Sequence, residues 1–166
     1  MMERSMLIVG VLATLGVVAS AALGYALASP QDAAMQTHVL VALASTLLAV
    51  FSHSWILLYL IGTGRAVQGA IRREGLDPEL GRHVRRLKPF AYVCVPLAMA
   101  GMLAVFALGA ASTANYVPAR HHHLAFYAAL AVQAVALVSE ARILRENERL
   151  LLDVDGRLAG AVSAAV

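Results

Sequence analysis

Four long apolar stretches alternate with shorter polar segments along the chain, at residues 6–28, 38–62, 90–112 and 121–140. Each is about long enough to cross a bilayer, which takes roughly 20 residues at 1.5 Å of rise apiece. The first carries no charge, the second has only histidines that could ionise, and the fourth runs to Ser139 before meeting Glu140. The third contains Pro96, which is expected to kink it unless neighbouring groups satisfy the freed carbonyl. The pattern therefore predicts four transmembrane helices. Arg4 before the first stretch and the small residues Ala26-Leu27-Ala28 suggest a signal peptide, but the apolar run exceeds the roughly 7–15 residues of such a region. A retained helix is expected.

Helical spacing continues beyond the apolar stretches. Residues 65–74 extend the second helix, with Ala66, Val67, Ala70 and Ile71 on one side and Gly75 as its stop. Asp77-Pro78-Glu79-Leu80 then reads as an N-cap, a first-turn proline and an acidic first turn, opening a short helix toward Lys88 within the polar segment 63–89. Residues 142–152 keep Ile143, Leu144, Leu150 and Leu151 in helical register, so the fourth helix is expected to project past the lipid to about residue 152. Asn115-Tyr116-Val117-Pro118 marks a turn, and residues 156–166 carry too little pattern for an assignment.

Composition changes the solvent more than the fold. Of 166 residues, 60% are hydrophobic and 14% charged, with a mean hydropathy of +0.73, against roughly 45–50% and 25% in soluble domains. A single domain of this size cannot hide so much apolar surface, which points to lipid. A single cysteine, Cys94, excludes a disulfide scaffold and intramolecular dithiol chemistry. The basic residues cluster at 65–88 and after 142, while the other connections carry only Arg120. By the positive-inside bias both termini and the 63–89 segment are expected in the cytoplasm, N-in and C-in. The net charge of +3 then reports topology and gives no nucleic-acid footprint. The expected fold is all-α, a single integral membrane four-helix bundle with short cytoplasmic helical extensions, in a prokaryotic plasma (inner) membrane. On the first helix, Gly16, Ser20, Gly24 and Ala28 form a stripe of small residues suited to close helix approach, expected to face another helix of the same chain.

Polar residues inside the spans carry the functional reading, because lipid makes each costly without a partner. His38 opens the second helix and His121-His122-His123 open the fourth. If these helices are neighbours, one imidazole from each can meet near the outer surface, as an axially ligated haem or a Cu or Zn ion requires: His38 with one of His121, His122 or His123 for a haem, His38 with His122 for a metal ion, and Asp32 or Met35 as additions. The competing reading makes these histidines interfacial polar caps. His53 follows His38 by 15 residues, about 22 Å along the axis, with Ala42, Ser45, Ala49 and Ser52 on roughly the same face. Two histidines some four turns apart with small residues between them resemble the helices of membrane b-type cytochromes. That resemblance covers the second helix alone and implies a haem b site. His53 is then a deeper ligand, with Met99 as a sixth-ligand candidate, or the hydrogen-bonding centre of the bundle through Gln133 or a serine.

Glu140, with Arg142 and Arg145 nearby, reads as a locally paired boundary charge. Gly62-Thr63-Gly64 lacks the lysine of a phosphate loop, and no catalytic motif is present. Three functional classes follow. The first is a haem- or metal-binding module acting in electron transfer or as the membrane anchor of a redox complex, with a quinone or a protein partner docking at 65–88 or 142–152. The second is a non-redox structural or assembly subunit. The third and weakest is a small transporter, disfavoured because no acidic or basic side chain is expected near mid-membrane.

Overall fold

The computed structural model describes residues 2–26 and 33–164, and the side chains of these except residues 2, 3, 83–88 and 161–164. Four helices account for nearly all of them: α1 (Met2–Ala26), α2 (Ala33–Glu74), α3 (Pro78–Thr113) and α4 (Ala119–Ala164). All four are long and apolar enough to cross a membrane. At 42 and 46 residues, α2 and α4 reach about 63 and 69 Å, twice the roughly 30 Å of a hydrocarbon core. They are therefore far longer than one crossing requires.

The chain runs up and down. Ser20 near the end of α1 meets His38 at the start of α2, while Met6 at the start of α1 meets Ser52 farther along α2. Likewise α3 and α4 are antiparallel, with Val105 bonded to His122 and Gly101 against Ala129. α2 and α4 run parallel and touch across the bundle, whereas among the described residues no Cα of α1 comes within 8 Å of one on α3.

Why these helices pack is visible in their buried positions. On α4 these include Ala129, Gln133, Ala136, Glu140, Ile143, Asn147, Leu150 and Val154, alternating steps of four and three. On α1 they are Met6, Gly10, Ala13, Val17 and Ser20, with the same alternation. A strict 3.5-residue period keeps one narrow seam facing its partners and imposes left-handed supercoiling. The seam is unusually small and polar, with Ser45, Thr46, Ala49, Ser52, His53 and Gly64 among the buried residues of α2, so backbones approach closely. Large apolar side chains point the other way: Leu40, Leu58 and Val93 are exposed, and at most 33% of any spanning window is buried. Such an inside-out distribution suits a lipid solvent.

The stripe on α1 serves packing within the chain. Gly16 faces Ser45, Ser20 bonds His38, and Gly24 lies against the His38 ring; Ala28 lies outside the described residues. The polar segment 63–89 is mostly helix. α2 continues to Glu74 and stops at Gly75, whose φ of +65° is the left-handed conformation that favours glycine. Asp77 caps α3, its side chain accepting from the Glu79 amide at 2.8 Å. The expected short helix is not separate from the third span: α3 runs through Pro89 and Pro96 to Thr113. It ends in a left-handed Asn115 with φ 62°, the Tyr116 amide bonding the Ala111 carbonyl at 2.9 Å and the Asn115 amide bonding that of Ser112 at 3.0 Å.

α4 also goes further than its sequence pattern indicated, to Ala164. Leu150 and Val154 form an apolar cluster with Val67 and Leu80, against which Leu76, Leu151 and Leu158 pack. That cluster ties the three helical extensions together beyond the spans. Exposed pairs Glu79–Arg82 and Asp153–Arg157 decorate it and contribute little, as surface ion pairs do.

Candidate functional site

Two constellations of polar side chains lie inside the bundle. The deeper one is centred on His53, which is fully buried together with Gln133 and Glu140. The seam brings them together, since Gln133 and Glu140 sit seven residues apart on α4 and so face α2 in the same direction. His53 Nδ1 lies 2.6 Å from Glu140 Oε1, and Nε2 lies 2.9 Å from Gln133 Oε1. Gln133 in turn donates through Nε2 to Thr14 Oγ1 at 3.2 Å, and Thr14 donates to the Gly10 carbonyl at 2.9 Å. Both ring nitrogens of His53 are thus engaged, and no nitrogen is left over for a metal in this arrangement.

Glu140 departs from the boundary role its neighbours suggested. It is 0% exposed and turned into the bundle, while Arg142 and Arg145 are exposed, with the Arg145 Nε donating to the Ala141 carbonyl at 2.9 Å. The reason is rotational. Position 140 falls on the buried seam and 142 and 145 do not, whatever their proximity in sequence. An acidic group therefore packs beside His53 inside the bundle. A second polar step follows seven residues further on. Thr63 donates to Asn147 Oδ1 at 3.1 Å, and Asn147 is buried. Gln133, Glu140 and Asn147 make a polar column at heptad spacing, and that recurrence is the signal in the sequence that would have found Glu140.

The outer constellation has a different character. His38 and His122 are half-buried, while His121 and His123 are exposed. His38 Nδ1 donates to the Ser20 carbonyl at 2.7 Å, with the Ser20 hydroxyl 3.2 Å from the same nitrogen. His122 Nδ1 donates to the Val105 carbonyl at 3.1 Å. Each ring rests on a glycine four residues beyond its carbonyl partner. A Cβ on Gly24 would lie 2.9 Å from His38 Cε1, and one on Gly109 would lie 3.0 Å from His122 Cε1. The α1–α2 and α3–α4 hairpins thus repeat one device, a histidine at the head of the second helix seated on a glycine of the first.

A backbone carbonyl on Nδ1 fixes the neutral tautomer that leaves a lone pair on Nε2, the same support that ligating histidines usually have. Neither Nε2 has a hydrogen-bond partner among the described residues. His38 and His123 lie within electrostatic reach of His122. The His123 ring is 5.0 Å from that of Tyr25, whose hydroxyl is 2.9 Å from that of Tyr127.

Of the further ligand candidates, Met35 is half-buried and Asp32 lies outside the described residues. Among the described residues no group of three or more His, Cys, Asp or Glu side chains converges. Comparison with protein-family profiles, with curated proteins and with solved structures finds no match to this chain.

Proposed function

We propose that this chain is a small multi-pass membrane protein of a prokaryotic inner membrane, N-in and C-in, that holds a haem b between His38 and His122. It acts in electron transfer or as the membrane anchor of a redox complex. The observation that supports this reading is the matched pair of imidazoles, each tied through Nδ1 to a carbonyl of its hairpin partner and each with Nε2 open. Two imidazoles make an axial haem pair, whereas a Zn or Cu ion calls for three or four protein ligands. Haem therefore suits this donor set better than either ion. When bound, such a group supplies one-electron redox chemistry; the residues' part is to fix the two rings and their tautomer. His121 and His123 lie at the rim, and His53 has no role as a ligand. A quinone or a protein docking at 65–88 or 142–152 would complete the electron path.

The optical spectrum of the protein purified in detergent from haem-replete cells tests the reading. Soret and α bands are expected, lost in His38→Ala and in His122→Ala and retained in His121→Ala and His123→Ala. A colourless protein without stoichiometric iron overturns it. The second reading, a non-redox structural or assembly subunit, is favoured by one specific observation: the polar core closes on itself through Thr14, Gln133, His53 and Glu140, tying α1, α2 and α4.

A further inference from the structure

We propose that His53 and Glu140 form a proton-binding site in the core of the bundle, with Glu140 held as a neutral carboxylic acid that donates to His53. The inference is independent of any haem at the outer end.

It begins with the direction of the hydrogen bonds. Thr14 gives its only hydroxyl hydrogen to the Gly10 carbonyl at 2.9 Å, so toward Gln133 it can only accept. Gln133 must therefore present its amide nitrogen to Thr14, at 3.2 Å, and its carbonyl oxygen to His53 Nε2, at 2.9 Å. A carbonyl oxygen cannot donate, so Nε2 carries hydrogen. At the other side of the ring, Nδ1 and Glu140 Oε1 are 2.6 Å apart, and without a proton between them two lone pairs would face each other. One proton occupies that contact. It sits either on Nδ1, making a buried ion pair, or on Oε1, making a pair with no charge.

The second oxygen of Glu140 decides between them. Oε2 is buried and has no hydrogen-bond partner among the described residues. In the ion pair it would carry half a negative charge in an apolar core with no donor, the arrangement that makes buried charges costly. In the uncharged pair it is the carbonyl of an acid, whose missing partner costs far less.

The surroundings offer no compensation. Ile56 and Leu144, one turn along α2 and α4, are fully buried, and the Ser52 hydroxyl is committed to the Met6 carbonyl at 3.2 Å. α1 contributes Thr14 and α3 contributes the apolar Ala91 and Val95 to the buried seam. The titratable side chains nearest in register are Tyr59 on α2 and Cys94 on α3, both half-buried, and Arg4, Arg142 and Arg145 are exposed. The site thus binds one proton, at Oε1.

Infrared spectroscopy of the full chain in detergent at neutral pH, with its glutamates carrying 13C at the carboxyl carbon, tests the assignment. The proposal expects one protonated-acid carbonyl band that shifts with the label and in D2O and is lost in Glu140→Gln. In parallel, 15N spectra of a variant with His38, His83, His121, His122 and His123 replaced by glutamine should show the remaining His53 uncharged, with hydrogen on Nε2 and none on Nδ1. No label-sensitive acid band, or a His53 protonated at both nitrogens, overturns the proposal. The wild-type infrared measurement decides even where a variant fails to fold.

Discussion

The two histidine sites of this bundle use the same side chain in opposite ways. At the core, His53 spends both ring nitrogens on side chains of α4 and is sealed from solvent. At the outer end, His38 and His122 spend one nitrogen each on a backbone carbonyl and stay half-buried. A histidine saturated by side chains holds helices together. One anchored on the backbone keeps its second ring nitrogen available and is oriented by an atom that substitution of its own partner's side chain cannot remove. What separates them is thus the pattern of neighbours, and depth in the bundle follows that pattern.

The sharpest break in the comparison comes at Glu140. Replacing it by alanine leaves His53 Nδ1 buried and unpaired, which costs about 1–3 kcal/mol for an uncharged group, and the cavity left by the side chain adds to that loss. A large drop in thermal unfolding temperature in detergent is expected. The double variant His53→Leu, Glu140→Met should recover part of that loss, because the Nδ1–Oε1 contact is replaced as a unit by apolar groups, while Gln133 Oε1 loses its donor. Were the double variant as unstable as the single one, the core pair would be contributing far more than its own satisfaction.

Gln133→Leu comes next. It strands the His53 Nε2–H and removes the donor to Thr14, an expected loss of about 1–3 kcal/mol measured in the same way. At the outer end His38→Ala should cost only about 1 kcal/mol, the worth of one partly solvated hydrogen bond, while abolishing any haem absorbance. That divergence between stability and spectrum is what separates the two sites. The smallest effect belongs to His121→Ala, an exposed position where the change should stay within about 0.5 kcal/mol and leave the spectrum intact. An outer histidine whose removal destabilised the bundle as much as Glu140→Ala would erase the distinction.

Much of the architecture was legible before any coordinates. The apolar stretches marked four helices because a span needs an uninterrupted length, and length is a property of the sequence. Gly75 and Asp77 marked the break between α2 and α3 for equally local reasons, one a left-handed conformation and the other a side-chain cap. The extents of α3 and α4 were less legible. Pro96 reads as a kink and the short helix before it as a separate element, yet α3 passes through both Pro89 and Pro96, as membrane helices can when neighbours and local adjustments accommodate the freed carbonyls. The residues of α4 past 152 look featureless until Val154 and Leu158 are set against Val67, Leu80 and Leu76.

The candidate residues divide along the same line. His38, His53 and His122 stood out because a polar residue within or beside an apolar run is conspicuous by itself. Glu140 did not, since it follows the run and has arginines for neighbours in sequence. Its partnership with His53 spans 87 positions, and only the relative rotation of α2 and α4 brings the two together.

Segment length, apolar content and local caps are written residue by residue, so the chain alone determined four long helices and the short break at Gly75. Which face of each helix meets which other is set by the joint packing of small side chains from several helices. No single segment carries that information. The tertiary structure therefore decided that Glu140 turns inward, that His53 gives up both nitrogens, and that His38 and His122 keep one each.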